Sequence, residues 1–590
     1  MSKGTSIAGF VLVCFVIAGL AVAGELSDNW NDFLHYTKIG RLDLAKGYAQ
    51  ALIDSDPDPV AVLDLAEDNP NGLYLLQKAN DNEHDRELAE LAGKVLDIIE
   101  QGRFARRTDP AIIAEEIRRL SDTARGQLAA IKRLKNAGEY AIPFMLDAMA
   151  DVSRRAEVPN IVLAMPQIGK DAIRPLAAAL QTDNTAVRAE IIKALGEIGY
   201  PQSLGYLKYV VENDSSAELR KLAAKSIQQI KPAASRISAA ELFYQLGEDY
   251  YNHIESLAPA EDADFANMWF WDEEGRRLVR EPVDREYFYE LMAMRCCEWA
   301  LRADAELGKA IGLWIAAFFK AESTGLEMPE YFGAGHADAM TYATTAGAEY
   351  LHQALARAIK DDNAYVALQS VEALAVNAGE KSLMYRFNMQ QPLLAALSFN
   401  DKAVRYSAAI AIAAANPQTN FAENRIVVQN LAQALAESSE ASELDNADEY
   451  ALRAANAMLK LAVERNRVID LSGAQDALMT ATTDKRDGIK ILSAKVLAHL
   501  SSADAQRSIT AMALNESNPM DIRLSAFDSL ITSAKVNGNL LDDAYIGAIY
   551  SLVSSNEIDT TLRSSAASAY GALNLPSQKV RNLILDQAKN

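Results

Sequence analysis

Residues 183–199 read DNTAVRAEIIKALGEIG, and residues 400–416 read NDKAVRYSAAIAIAAAN. Each stretch opens on an Asp- or Asn-containing turn, continues with an aliphatic–Arg pair and runs into an Ala-rich amphipathic segment. The pair recurs as Val187-Arg188, Leu219-Arg220, Val404-Arg405, Ile522-Arg523 and Leu562-Arg563. Repetition of this kind predicts stacked helix pairs, because one pair carries more apolar surface than it can bury alone. Such stacks present extended binding surfaces rather than deep pockets.

The first array has a period. Gly138, Gly169 and Gly199 recur about every 30 residues, each four positions after an apolar residue: Leu134, Met165 and Leu195. A second helix follows each glycine, from Ala141, Ala172 and Ser203. Glycine takes the left-handed conformation that ends a first helix. In a fourth unit, Lys231-Pro232 stands where the glycine would be. Composition agrees with an all-α chain: 50% of the residues are hydrophobic and 7% aromatic. Runs of alternating β-branched residues are nearly absent. A chain of 590 residues is too long for one compact core, and a solenoid escapes that limit because each unit touches only its neighbours.

The Val-Arg units resemble HEAT repeats, especially the short HEAT-like repeats that bacterial proteins share with phycobilisome lyases. The resemblance implies a ladder in which an Asp and an Arg link successive repeats. Asp183 with Arg188, Asp401 with Arg405 and Asp559 with Arg563 match it, and Asp214 with Arg220 offers a fourth pair. Two other segments resemble tetratricopeptide repeats. In one, Tyr36, Gly40, Ala45 and Pro57 hold that spacing. In the other, Phe243, Leu246, Gly247 and Tyr250 open the pattern before an insertion, residues 259–282, interrupts it. Within the insertion, Trp269-Phe270-Trp271 precedes Asp272-Glu273-Glu274-Gly275, which predicts a short hairpin. Its aromatics form either an exposed platform or a packing wedge.

The expected organisation is therefore a signal peptide over 1–23, a tetratricopeptide-like segment over 24–105 and a HEAT-like array over 106–236. A tetratricopeptide-like segment with the aromatic insertion covers 237–326, and a second HEAT-like array covers 327–590. The whole is expected to form a curved superhelix. The export signal rests on Lys3, the apolar run 7–22 and the small residues Ala21 and Ala23 before Gly24. It implies a periplasmic or extracellular chain with no membrane anchor after cleavage. A later apolar run, 310–319, is too short to span a bilayer and reads as a buried helix.

Other features set limits on the chemistry. A formal net charge of −22 opposes binding to phosphate backbones. The acidic stretch 437–449 lacks the ligand pattern and central glycine of a calcium loop and reads as a solvated connection. Cys296 and Cys297 read as small buried residues in a helix. The loop Tyr331-Phe332-Gly333-Ala334-Gly335-His336 follows no strand and lacks Lys, so it reads as a turn and not a phosphate cradle. The six histidines include no pair at helical metal-ligand spacing, and none precedes a Glu. No catalytic residue, cofactor or metal is expected.

These readings point to an exported, non-catalytic α-solenoid that binds a protein or peptide. A self-assembling envelope component and a lyase-like, chromophore-handling protein are the alternatives. Partner-binding candidates lie on the second helices of the first array, which usually line the inner face of a solenoid: Asp147, Arg174, Tyr206 and Lys208. Trp269 and Trp271 of the insertion are a second candidate contact.

Overall fold

The computed structural model of the protein describes residues 24–576 except 83, 260–263 and 378, together with 578, 581, 584 and 585. The expected signal peptide lies outside the described residues. The chain forms two compact units. One ends at Leu246 and takes in Glu255–Phe288; the other comprises Gly247–Ile254 and the chain from Tyr289 onward. The division falls inside the helix Ala239–Tyr251. Both units are all-α solenoids of stacked helix pairs, with one β-hairpin in the first.

The helices begin where the turn residues of the motif cap them. The Asn184 side chain accepts hydrogen bonds from the backbone N–H groups of Ala186 and Val187 at 3.1 and 3.2 Å. Ser216, Asp401 and Asp559 cap their helices in the same way. Each cap contributes about 1 kcal/mol by satisfying donors that the helix leaves open. Gly138, Gly169 and Gly199 all hold positive φ, at 59°, 84° and 79°, as their spacing predicts. Only Gly199 is in the left-handed helical region. Gly379 differs from these three: it has φ −90° and precedes the short helix Glu380–Leu383.

The first unit holds two cores. Helices over 24–38, Leu42–Asp54, Pro59–Asp68, Pro70–Asn80 and Arg86–Thr108 bury Trp30, Phe33, Leu52, Val95 and Ile99 together. The repeats from 113 onward share the other, in which Met165, Leu195 and Ile227 are almost fully buried. First helices Thr185–Ile198 and Ala217–Ile230 lie very close at Gly196, where a Cβ would fall 2.5 Å from the Ser226 hydroxyl oxygen. That hydroxyl donates to the Ile192 carbonyl at 3.0 Å.

In the second unit, one layer comprises Ala364–Asn377, Lys402–Ala414, Ala447–Val463, Asp487–Leu497, Met520–Asn537 and Thr560–Ala572 in sequence, each packed on the next. Asn424–Ala436, Gln475–Ala481, Ala503–Leu514 and Asp543–Ser554 belong to the other layer. The run 310–319 lies in the buried helix Gly308–Glu322. Among the described residues no helix is long and apolar enough to cross a membrane. Cys296 and Cys297 are free and fully buried, and burial pushes both thiols well above their ordinary pKa. The loop after Phe332 is a turn, with Gly333 and Gly335 at positive φ.

The expected Asp–Arg ladder between successive repeats forms at one step, Arg188 to Asp214, while Arg220, Arg405 and Arg563 turn to main-chain carbonyls. Asp401 and Asp559 are occupied as helix caps, and Asp183 is exposed. Arg188 instead reaches the next repeat, with Nη2 3.5 Å from Oδ2 of Asp214. Arg220 donates through Nη1 to the carbonyls of Asp214 and Ser215, at 2.6 and 3.1 Å. Arg405 does the same at Phe399 and Asn400, both at 2.8 Å. A helical side chain leans toward the N-terminus of its helix, so an arginine one turn inside the helix meets the entry loop's carbonyls before it meets the cap.

The acidic stretch 437–449 is similarly tied down. Tyr406 and Lys402 donate to Glu437 at 2.8 and 3.1 Å, Lys485 pairs with Glu440 at 2.6 Å, and Arg486 pairs with Asp448 at 2.7 Å.

Candidate functional site

The insertion forms the expected hairpin. Strand β1, Phe265–Asp272, pairs antiparallel with β2, Arg277–Asp284. Asp272 shapes the turn by accepting from the N–H groups of Glu274 and Gly275, each at 3.1 Å. Gly275 lets the Asp272 carboxylate sit close, since a Cβ there would fall 2.4 Å from Oδ2 and push that side chain aside. Strand β1 is the more buried of the two, as its aromatic run demands.

The hairpin packs on the second helices of the first array, Ala141–Ala150 and Ile173–Ala179. Glu139 anchors it. The Trp269 indole N–H donates to one Glu139 oxygen at 2.8 Å, and the Asn267 amide donates to the other at 2.6 Å. Arg174 stands 3.5 Å from the same carboxylate and lies over the Phe288 ring at 5.0 Å. Asn267 also donates to the Tyr140 hydroxyl at 2.9 Å, while Arg280 covers the Tyr140 ring. A buried carboxylate is stable only when paired and hydrogen-bonded, and here an arginine, an indole and an amide meet that need.

This arrangement sorts the six candidate residues. Trp269 is 6% exposed and faces inward, so it is a wedge in the packing and not an open platform. Arg174 is engaged by Glu139 and Phe288. Tyr206 is half-buried and meets the Phe243 ring edge-on at 4.8 Å. Lys208 donates to the Ser235 carbonyl at 2.9 Å and lies 3.6 Å from Glu212. Asp147 and Trp271 come together, at a cleft of about 50 Å³ beneath the hairpin tip.

The cleft has aliphatic walls from Leu146, Val187, Ile191 and Leu278, closed by the Trp271 ring, with Asp147 and Arg276 also lining it. Asp147 is exposed on one side. Loss of water on the other side pushes its pKa up, against the opposing pull of Arg277. A space of this size suits one small aliphatic side chain, with a hydrogen bond to Asp147 at its edge. Among the described residues no group of three or more His, Cys, Asp or Glu side chains is placed to hold a metal.

A family model described as HEAT repeats matches residues 142–228. No curated protein matches the chain. An engineered protein of known crystal structure is similar at 14% identity and TM-score 0.22, with 92% of this chain and 99% of that one covered. Importin beta, crystallised in an ammonium sulfate condition, is similar at 13% identity and TM-score 0.26, over 96% of this chain and 66% of its own. The Kap95:Nup1 complex contains a chain similar at 14% identity and TM-score 0.27, over 96% and 65% respectively. The present chain thus spans just under two thirds of those last two. The family match runs through Asp147, Arg174, Tyr206 and Lys208, so the repeats that carry four of the six candidate residues are the ones similar to HEAT repeats.

Proposed function

We propose that this chain is an exported, non-catalytic scaffold for protein–protein or protein–peptide interaction. The observation that carries this reading is the two-layer stacking repeated through both units. Each pair buries its apolar face against its neighbours, and what remains in each unit is an extended surface assembled from many small, similar patches. Surfaces of this kind suit extended partner segments. The cleft of Asp147 and Trp271 is the place on that surface where an aliphatic side chain of a partner would seat. The tetratricopeptide likeness around Tyr36 supports the same role: Gly40 has φ 73°, Ala45 is fully buried, and Tyr36 stacks on Tyr48 at 5.5 Å. Export rests on the apolar run before Gly24 and its small residues.

The test captures the chain from its native source and maps cross-links to partners by mass spectrometry. Wild type is compared with a Trp271→Ala, Asp147→Asn variant of unchanged circular dichroism. Partner cross-links near residues 143–191 that the variant loses support the reading. A chain that captures only copies of itself, in concentration-dependent polymers, would favour an envelope component instead. For export, N-terminal sequencing of the native chain should begin at Gly24; an intact Met1 in a cytosolic fraction rejects it.

A further inference from the structure

A second depression lies in the first unit, some way along the same array. It is a groove of about 260 Å³ between Leu204–Asn213, Ala217–Ile230 and the turn Pro232–Arg236. Its lining is Lys208, Val211, Ala224, Lys225, Ile227, Gln228 and Ser235. The floor is aliphatic, and Ile227 within it is 1% exposed. The rim is rich in donors. An ammonium group has three protons to donate; Lys208 donates one to the Ser235 carbonyl and stands 3.6 Å from Glu212, beyond hydrogen-bond reach. Lys225 and Gln228 are exposed, and neither has an ion pair or side-chain hydrogen bond among the described residues.

The surrounding charge has the same sign. Residues 203–236 carry six basic side chains against three acidic ones, in a chain whose net charge is −22. Two of those three acids are already engaged, Glu212 by Lys208 and Asp214 by Arg188. In sequence the segment 203–236 is thus a net-positive island in an acidic chain, over a floor that accepts a hydrocarbon.

We propose that this groove binds an acidic peptide segment of a partner protein, seating one aliphatic side chain on Val211, Ala224 and Ile227 and its flanking carboxylates on Lys225 and Lys208. The proposal rests on the scaffold reading and adds the chemistry of the partner. The aliphatic floor favours a peptide over a nucleic acid, whose phosphates would gain nothing from Ile227. The overall negative charge also repels a long polyanion, whereas a short segment confined to the island feels mainly the nearby lysines, since charges more than about 10 Å away are screened.

The test uses the full chain and a short fluorescein-labelled peptide of alternating Glu and Leu, read by fluorescence anisotropy. The peptide should bind, and rising salt should weaken it. Lys225→Glu should weaken it about tenfold or more, because it places like charges in contact. Lys225 is exposed, so this variant should keep its circular dichroism and urea midpoint. A Glu–Gly peptide should bind less well than the Glu–Leu peptide. The proposal is overturned if the wild-type chain does not bind the Glu–Leu peptide or if Lys225→Glu binds it unchanged. It is equally overturned if a Lys–Leu peptide binds as tightly, or if a single-stranded oligonucleotide of equal charge displaces it. None of these failures touches the scaffold reading, which is decided by capture of native partners.

Discussion

Arg188 and Asp214 join two successive repeats across 3.5 Å, and the carboxylate end of the pair is almost wholly buried, at 6% exposure. Asp214 also accepts the Ser216 backbone N–H at 2.8 Å, so it keeps one partner if the arginine is lost. Arg188→Ala should therefore destabilise the first unit by about 1–3 kcal/mol, below the cost of stranding a wholly unpaired charge. A urea titration with unchanged midpoint and slope would show the pair to be ornamental.

Leu195 is fully buried in the same core as Met165 and Ile227. Leu195→Ala should cost roughly 2–5 kcal/mol, from lost transfer energy and the cavity left behind. In a stacked array the damage stays near its source. Amide exchange should accelerate over residues 160–230 and remain at wild-type rates beyond 400. Uniform acceleration along the chain would show that the array does not unfold locally.

The hairpin's attachment depends on the Glu139 cluster. Trp269→Phe keeps the ring and deletes the donor, which leaves a buried carboxylate oxygen with one partner fewer. The expected cost is about 1–3 kcal/mol. Exchange over residues 265–284 should rise more than over 185–230. Equal rises would mean that the hairpin and the repeats melt as one.

A pH effect should arise in the second unit. His352 is fully buried, its Nε2 donates to the Ser382 carbonyl at 2.7 Å, and its Nδ1 has no hydrogen-bond partner among the described residues. Loss of water lowers its pKa below 6.5, more than the Ser382 carbonyl raises it. His499 is lowered too, by burial and then by Arg465. A group whose folded pKa is depressed contributes stability above its unfolded pKa and loses it as pH falls through the folded one. Stability should thus decline as pH drops below about 6.5. In His352→Leu the unit should be weaker at neutral pH, yet lose less between neutral and mildly acidic pH. An identical pH profile in wild type and variant rejects this role for His352.

The sequence revealed the repeats more fully than it revealed the site. Gly138, Gly169 and Gly199 fixed a register that the backbone kept, since positive φ at a helix end leaves few other residue choices. The expected partners of Arg405 and Arg563 were misjudged because the acid in the turn is also the helix cap. Once Asp401 accepts from the Val404 N–H, Arg405 turns to carbonyls. The cleft was less legible still. Asp147 and Trp271 were each singled out, but nothing local links them. Their meeting depends on Glu139, which sits in the turn after Gly138 and reads in sequence as an ordinary solvated acid. A glutamate that must be buried leaves no periodic trace; the Asn267 and Trp269 side chains that serve it are far away in the chain.

The clamps made by Arg220 and Arg405 have an evolutionary consequence. Their acceptors are main-chain carbonyls, which every amino acid supplies. A side-chain pair such as Arg188 and Asp214 must change in concert or break. A carbonyl clamp asks only that the arginine persist, while the loop residues it grips drift freely. Repeats built this way can be copied and can diverge at the gripped positions without compensating substitutions next door: Arg220 holds the carbonyls of Asp214 and Ser215 where Arg405 holds those of Phe399 and Asn400.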